Sequence, residues 1–234
     1  MTNEEVTVYT YAFLKIPATP LELPAGIAGK VELVRRDSLA ALVELGLCLD
    51  EINHDDRQLM LAVVSHDRVI REVFRQTAVL PLRFGTCFVS VGGVLAHLLA
   101  RQEEYLQKLE VFAGKAEYML KFIPLSPPVS EVPSEARGKQ YFLAKKQRYQ
   151  TQQDFQSQQA AQWQEVQRLI AQVYSHAAAG LAVDSTERIY LLGAREGEAK
   201  LKDLVQAWQQ VCTHWELQLG EPVPPYHFVG DAAG

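Results

Sequence analysis

A proline and an arginine interrupt an apolar run at residues 79–86, VLPLRFGT, and this interruption restricts the fold more than any other feature of the chain. The run reads as a strand, yet Pro81 has no N–H to give a sheet ladder, which suits an edge, a strand end or a bulge. Arg83 stands between Leu82 and Phe84. A guanidinium buried there must find hydrogen-bond partners or reach water. Gly85 permits a sharp turn or a close backbone approach directly afterwards. Local rules broken together at one place mark a specific demand. Pro81, Arg83, Phe84 and Gly85 are therefore structural or interaction candidates. The structural reading is a strand end with Arg83 buried against backbone carbonyls or an acidic side chain; the competing reading is a contact surface.

Residues 222–228, PVPPYHF, are the second irregular segment. Such a run can continue neither a helix nor a central strand, and reads as an extended, polyproline-like tail. That conformation has no internal hydrogen bonds, so the tail must dock on something to be ordered. Pro224, Pro225, Tyr226 and Phe228 are its candidate residues. Tyr226 and Phe228 are expected to fill a groove between two domains as a latch, with residues 230–234 disordered. The alternative is a peptide ligand for a partner's aromatic-lined groove.

Between these segments the patterning predicts an α+β fold in two domains, each with an antiparallel or mixed sheet and helices on one face, the second with a long helical arm. A strand is expected over 6–14 and a hairpin over 31–34 and 39–43, around Arg36 and Asp37. A helix capped by Asp55 or Asp56 follows, with Met60, Val63, Val64, Ile70, Val73 and Phe74 on its inner side. Then come a strand over 79–84 and a helix over 91–112 capped by Ser90, with Leu95, Leu98, Leu99, Leu106 and Leu109 inward. Gly114 ends that helix before a strand over 118–123. Four prolines in 124–134 predict a linker, so that residues 1–124, 125–136, 137–221 and 222–234 form first domain, linker, second domain and tail. The second domain should hold one or two helices over 139–176, with any join at 151–157. Strands over 181–184 and 188–192, a helix over 200–211 and a strand over 214–219 complete it.

The 234 residues carry 48% hydrophobic and 22% charged side chains with a net charge of −5, ordinary for a globular protein. A mildly acidic chain argues against nucleic acid as a partner. No apolar run suits a membrane span, and the acidic N-terminus does not resemble a signal peptide. Cys48, Cys87 and Cys212 are expected as reduced core thiols. No catalytic, cofactor or metal site is expected. Gly114-Lys115 lacks the upstream glycine of a phosphate loop, and the six histidines are nowhere paired at ligand spacing.

LPLRFGT after a first long helix and PVPPYHF at the end, together with VYTYAFL (8–14), GKAEYMLKF (114–122) and YLLGAR (190–195), resemble the gas vesicle protein F/L family (GvpF/GvpL) along nearly the whole chain. Glu221, Val223 and His227 stand where that family often has glycine, an aromatic and serine. The resemblance implies a non-enzymatic accessory or minor structural protein of gas vesicle assembly, in the cytoplasm and at the gas vesicle. Its implied partners are the main gas vesicle shell protein and other accessory proteins. A very apolar shell subunit needs a binder that shields it until it enters the shell. The rival class is a small enzyme or anion-binding protein using the turn at 83–86.

Overall fold

The computed structural model describes residues 6–47, 55–128 and 137–230. The chain divides into two compact units, one made of Met1–Glu117 with Pro222–Gly234, the other of Tyr118–Glu221. The expected α+β class with antiparallel sheets and a long helix is what it adopts. Of the expected linker, residues 129–136 lie outside the described residues, as do Cys48 and residues 231–234 of the tail.

In the first unit β1 (Val8–Lys15), β2 (Val31–Arg36), β3 (Leu39–Leu45) and β4 (Leu80–Pro81) form a sheet in the order β2-β3-β1-β4, and β5 (Cys87–Phe88) also pairs with β1. Every pairing is antiparallel. The expected hairpin closes at Asp37-Ser38, where Asp37 takes φ 49°. Residues 8–14 of β1 are all buried, too continuous a run for a strand with one wet face. The β1–β3 register shifts between Thr10 and Ala12, leaving Tyr11 as the extra residue of a bulge. The aromatic side chains then divide: Tyr9 and Tyr11 meet His66 of α1 (Asp56–Phe74), whereas Phe13 meets His97 of α2 (Val91–Ala100) and Tyr105 of α3 (Gln102–Phe112). Helical side chains therefore reach both faces at the centre of this sheet.

Asp55 caps α1 by accepting from the backbone N–H groups of Arg57 and Gln58, so the expected cap holds. The expected inner face holds at Ile70, Val73 and Phe74 and fails in the first turns. Ala62, His66, Val69, Ile70, Val73 and Phe74 are buried, while Met60, Val63 and Val64 are 65%, 40% and 58% exposed. The core stripe enters the helix through a small residue and a histidine, and the larger apolar residues of the first turns face outward. The strand expected over 79–84 shortens to Leu80–Pro81, since the backbone turns away at Arg83. Ser90 caps α2 through the Gly93 N–H at 3.2 Å. The helix expected over 91–112 breaks at Arg101 (φ −113°, ψ 15°), whose guanidinium binds Glu104 on the next turn. Leu99, expected inward, is 50% exposed.

Strand β6 (Lys115–Pro124) carries the chain into the second unit, whose sheet runs β7-β8-β6-β9 with β7 at Ala177–Ala179, β8 at Glu187–Ala194 and β9 at Trp215–Leu219. The strand expected over 181–184 lies earlier, at β7. Val183 makes an isolated bridge with Thr186 across Asp184 and Ser185, both at positive φ; that tight turn takes up the residues that were to extend the strand. Helix α4 (Lys139–Val173) is continuous through residues 151–157, so the optional join is absent, and α5 (Glu198–Val211) follows β8. Only the later part of α4 enters the core: Val166 and Ile170 are buried, and Trp163 packs edge-on against Phe122 at 4.8 Å.

Glutamines fasten this second unit. Gln162 accepts from the His214 N–H and donates to the Thr213 hydroxyl, and Gln159 donates to the carbonyls of Leu125 and His214. From α5, Gln209 accepts from the Leu217 N–H and donates to the Cys212 and Trp215 carbonyls. A carboxamide offers both donor and acceptor, so one neutral side chain can satisfy both kinds of loose backbone group where α5 passes into β9.

Candidate functional site

Both irregular segments of the sequence converge on one dipeptide of α1, His66-Asp67. His66 is buried, with Nε2 3.1 Å from the Leu82 carbonyl and Nδ1 2.7 Å from the Tyr9 hydroxyl. A carbonyl can only accept, so the proton sits on Nε2 and Nδ1 accepts from Tyr9. Burial pushes the His66 pKa down, which keeps the ring neutral and suited to this pair of bonds. The Tyr9 oxygen in turn accepts from the Gly85 N–H at 3.3 Å. Burial raises the pKa of Tyr9 and holds it as the phenol. Phe84 closes the cluster, its ring edge-on to His66 at 5.7 Å and near Tyr9 at 6.1 Å.

The turn itself is organised by glycine and threonine. Gly85 takes φ 89°, a left-handed conformation that a side chain would strain. Thr86 returns both its N–H and its hydroxyl to the Arg83 carbonyl. Pro81 is buried in β4 opposite Ala12, a place that asks nothing of its missing N–H. Arg83 is exposed, which corrects the expectation of a buried guanidinium: the backbone turn aims the side chain outward, so no burial penalty arises. The donors of Gly85 and Thr86 are engaged with protein acceptors, which disfavours an anion site at 83–86.

Asp67, the next residue of α1, receives the tail. The Tyr226 hydroxyl donates to Asp67 Oδ1, while Arg71 holds Oδ2. Burial first, and then this bond, raise the Tyr226 pKa. Val223 exchanges backbone bonds with Glu117 in both directions at 2.9 Å. The Glu117 carboxylate, 1% exposed, accepts from the His227 backbone N–H at 2.8 Å and lies 2.7 Å from its Nδ1. Burial raises the Glu117 pKa against the lowering by these His227 contacts. Lys108 donates to the Val229 carbonyl at 2.7 Å. Of the named tail residues, Pro224 and Pro225 are buried, while Tyr226 and Phe228 are half-buried. The anchor that sequence reasoning missed is Val229, at 3% exposure.

A second buried carboxylate had no sequence candidate. Glu44 of β3, 2% exposed, accepts from the N–H groups of Ile27, Ala28 and Gly29 and from the Tyr11 hydroxyl. A β-carbon on Gly26 would stand 2.0 Å from Glu44 Oε2, so the loop approaches the carboxylate only with glycine there. The signal in the sequence was the pair Gly26 and Gly29 flanking Ile27 and Ala28 just ahead of β2. Cys212 is buried, with its thiol pKa pushed up to about 11 by burial, but Cys87 is exposed, contrary to expectation. Among the described residues no group of histidine, cysteine and carboxylate side chains is placed to hold a metal, and no helix is long and apolar enough to cross a membrane.

What the first unit does leave open is apolar surface. Met60, Leu61 and Val64 lie within two turns of α1 at 65%, 59% and 58% exposure, on the same helix that holds the turn and the tail.

The model of the GvpL/GvpF gas vesicle synthesis proteins matches residues 7–230. The chain belongs to this family. A curated relative, gas vesicle protein F of Streptomyces sp. (strain CB03234), is 34% identical over 117 residues. That match spans 49% of this chain and 46% of the relative, about half the length of each. The fold is similar to crystal structures of GvpF from Anabaena sp. PCC7120 (TM-score 0.68, 16% identity, 96% of each chain) and from Microcystis aeruginosa (TM-score 0.67, 15% identity, 96% of this chain and 99% of the other). The chain is thus a gas vesicle protein of α+β fold.

Proposed function

We propose that this protein is a non-enzymatic accessory or minor structural protein of gas vesicle assembly, working in the cytoplasm and at the vesicle by binding the main shell protein and other accessory proteins. The family match across residues 7–230 carries this reading. The geometry favours a binding role. The polar groups at the two irregular segments serve their own backbone, and the exposed apolar strip on α1 offers surface to an apolar partner. A rigid helix held by the sheet, the 83–86 turn and the tail presents that strip without an ordering cost at binding. On this reading Pro81, Phe84 and Gly85 act through structure, as do Pro224, Pro225, Tyr226 and Phe228.

The test is complementation. Cells carrying a gas vesicle gene set that lacks this chain are given either the parent or a Met60→Glu, Leu61→Glu, Val64→Glu variant. Because the three positions are exposed, the variant should fold with unchanged helical content yet fail to restore vesicles. Full vesicle formation with the folded variant would remove the α1 strip from the account. No dependence of vesicles on the parent would remove the assembly role.

A further inference from the structure

Among the described residues the first half of α4 joins no core. Tyr141, Phe142, Leu143 and Tyr149 are 43%, 71%, 56% and 62% exposed, and the first buried residue of the helix is Val166. Residues 139–154 make a free-standing arm roughly 24 Å long at 1.5 Å per residue. Its charge is one-sided. Arg137, Lys139, Lys145, Lys146 and Arg148 precede its first acid, Asp154. Against a net charge of −5 for the whole chain, those five cations leave −10 on the remainder.

The first unit carries a surface of the opposite character. Where α2 breaks into α3, an open groove of about 510 Å³ is lined by Leu99, Leu106 and Gln107 between Glu103 and Glu110. Leu99 is half exposed within it. Two leucines and two carboxylates in a largely polar lining match an arm of exposed rings among lysines. An aromatic anchor seated in such a groove inside a charged rim is the usual make-up of a binding hot spot.

We propose that the basic aromatic arm of one copy docks in the acidic groove at the α2–α3 break of a second copy, with Phe142 as anchor. The arm and the groove are different surfaces, so two copies close as a dimer if they exchange arms reciprocally, and form rings or open chains if the contact runs head-to-tail. This association is separate from the α1 strip, so it can fail while shell-protein binding stands.

Sedimentation of the purified full chain tests it at about 50 mM and about 500 mM salt, conditions that differ strongly in screening. The average mass should rise above the 26.2 kDa monomer with concentration at low salt and return to it at high salt. Lys139→Glu, Lys145→Glu, Lys146→Glu and Arg148→Glu together, which turn the arm net negative, and separately Glu103→Lys with Glu110→Lys, should each be monomeric at both salts with unchanged helical content. Mixing the two charge-reversed proteins should restore association, because each then offers an arm complementary to the other's groove. Phe142→Ala should weaken association on the order of tenfold or more without changing its salt dependence. A parent that stays at 26.2 kDa throughout overturns the proposal. So do reversed variants that associate like the parent, or a mixture that stays monomeric. Binding of the monomeric parent to anionic lipid vesicles or to RNA, lost in the arm variant, would overturn it in favour of that partner.

Discussion

The two units solve one problem with different chemistry. Each must hold irregular backbone against regular structure. The first unit uses ionisable and aromatic side chains: Glu44 gathers the loop at 26–29, His66 and Tyr9 hold the 83–86 turn, and Glu117 and Asp67 hold the tail. The second unit uses neutral carboxamides, with Gln159, Gln162 and Gln209 fastening the passage from α5 into β9. A buried carboxylate binds several N–H groups at once but must be fully satisfied. A carboxamide makes weaker bonds and does not titrate. The first unit should therefore be both more sensitive to single substitutions and more sensitive to acid.

The largest effect is expected at Glu44. Glu44→Ala leaves the N–H groups of Ala28 and Gly29 and the Tyr11 hydroxyl without their acceptor, with the Ile27 N–H keeping the Tyr11 oxygen, which should cost on the order of 3–5 kcal/mol. Gly26→Ala should show the same direction through the clash with the carboxylate. Urea unfolding followed from the first unit measures both. A loss below about 1 kcal/mol would mean that water replaces the carboxylate freely.

Truncation after Glu221 comes next. It removes the Tyr226–Asp67 and His227–Glu117 bonds and the buried Val229, together worth on the order of 3 kcal/mol. The melting temperature should fall and amide exchange at Glu117 should quicken. A truncated chain that melts like the parent, yet no longer binds a partner, would make the tail a ligand instead of a clasp.

Gln162→Ala should cost on the order of 1–2 kcal/mol, since the His214 N–H and Thr213 hydroxyl can still reach water. Hydrogen exchange should show the loss around His214 alone. Matching pH dependence for Gln162→Ala and the first-unit variants would break the contrast between the units.

Acid supplies a smaller effect with a definite sign. Burial lowers the folded-state pKa of His66 below its ordinary 6.5. The unfolded chain then takes up a proton that the folded site resists. Stability from this group is full above about pH 6.5 and falls as the pH drops below it. His66→Asn should flatten that part of the pH profile of the first unit; a parent profile level between about pH 7 and 5 would show that His66 does not titrate as described.

Arg83→Ala should be the mildest change, within about 0.5 kcal/mol, because the side chain is exposed. A larger loss would mean that the turn needs the guanidinium for its own stability.

The sequence made the punctuation of the fold legible and left much of its packing hidden. Asp55, Ser90 and Gly114 mark helix ends by residue type alone, β-branched and aromatic residues show β1, and two short apolar runs around Arg36 and Asp37 show the hairpin. The outward turn of Met60 and Val64 is invisible to periodicity, because α1 has two apolar stripes and the buried one passes through His66, a residue that sequence rules place outside. Glu44 reads as the exposed residue of an alternating strand until the glycine loop at 26–29 is brought to it from earlier in the chain. The turn at 83–86 and the tail were recognisable as special, since proline and glycine break local rules there. Their shared seat on His66-Asp67 depends on tertiary contacts that no local window contains. The domain limits at residues 124 and 137 remain a proposal about independently folding parts. Limited proteolysis with early cuts between them supports it, and early cuts inside 79–112 would end it.

The central claim is that this gas vesicle protein works by binding. The most direct measurement is retention of the main shell protein, produced together with it, on the immobilised full chain. The account predicts that the parent retains the shell protein and keeps it out of aggregates, and that the Met60→Glu, Leu61→Glu, Val64→Glu variant does neither. A parent that retains no shell protein, in cells that need this chain to form vesicles, would contradict the account.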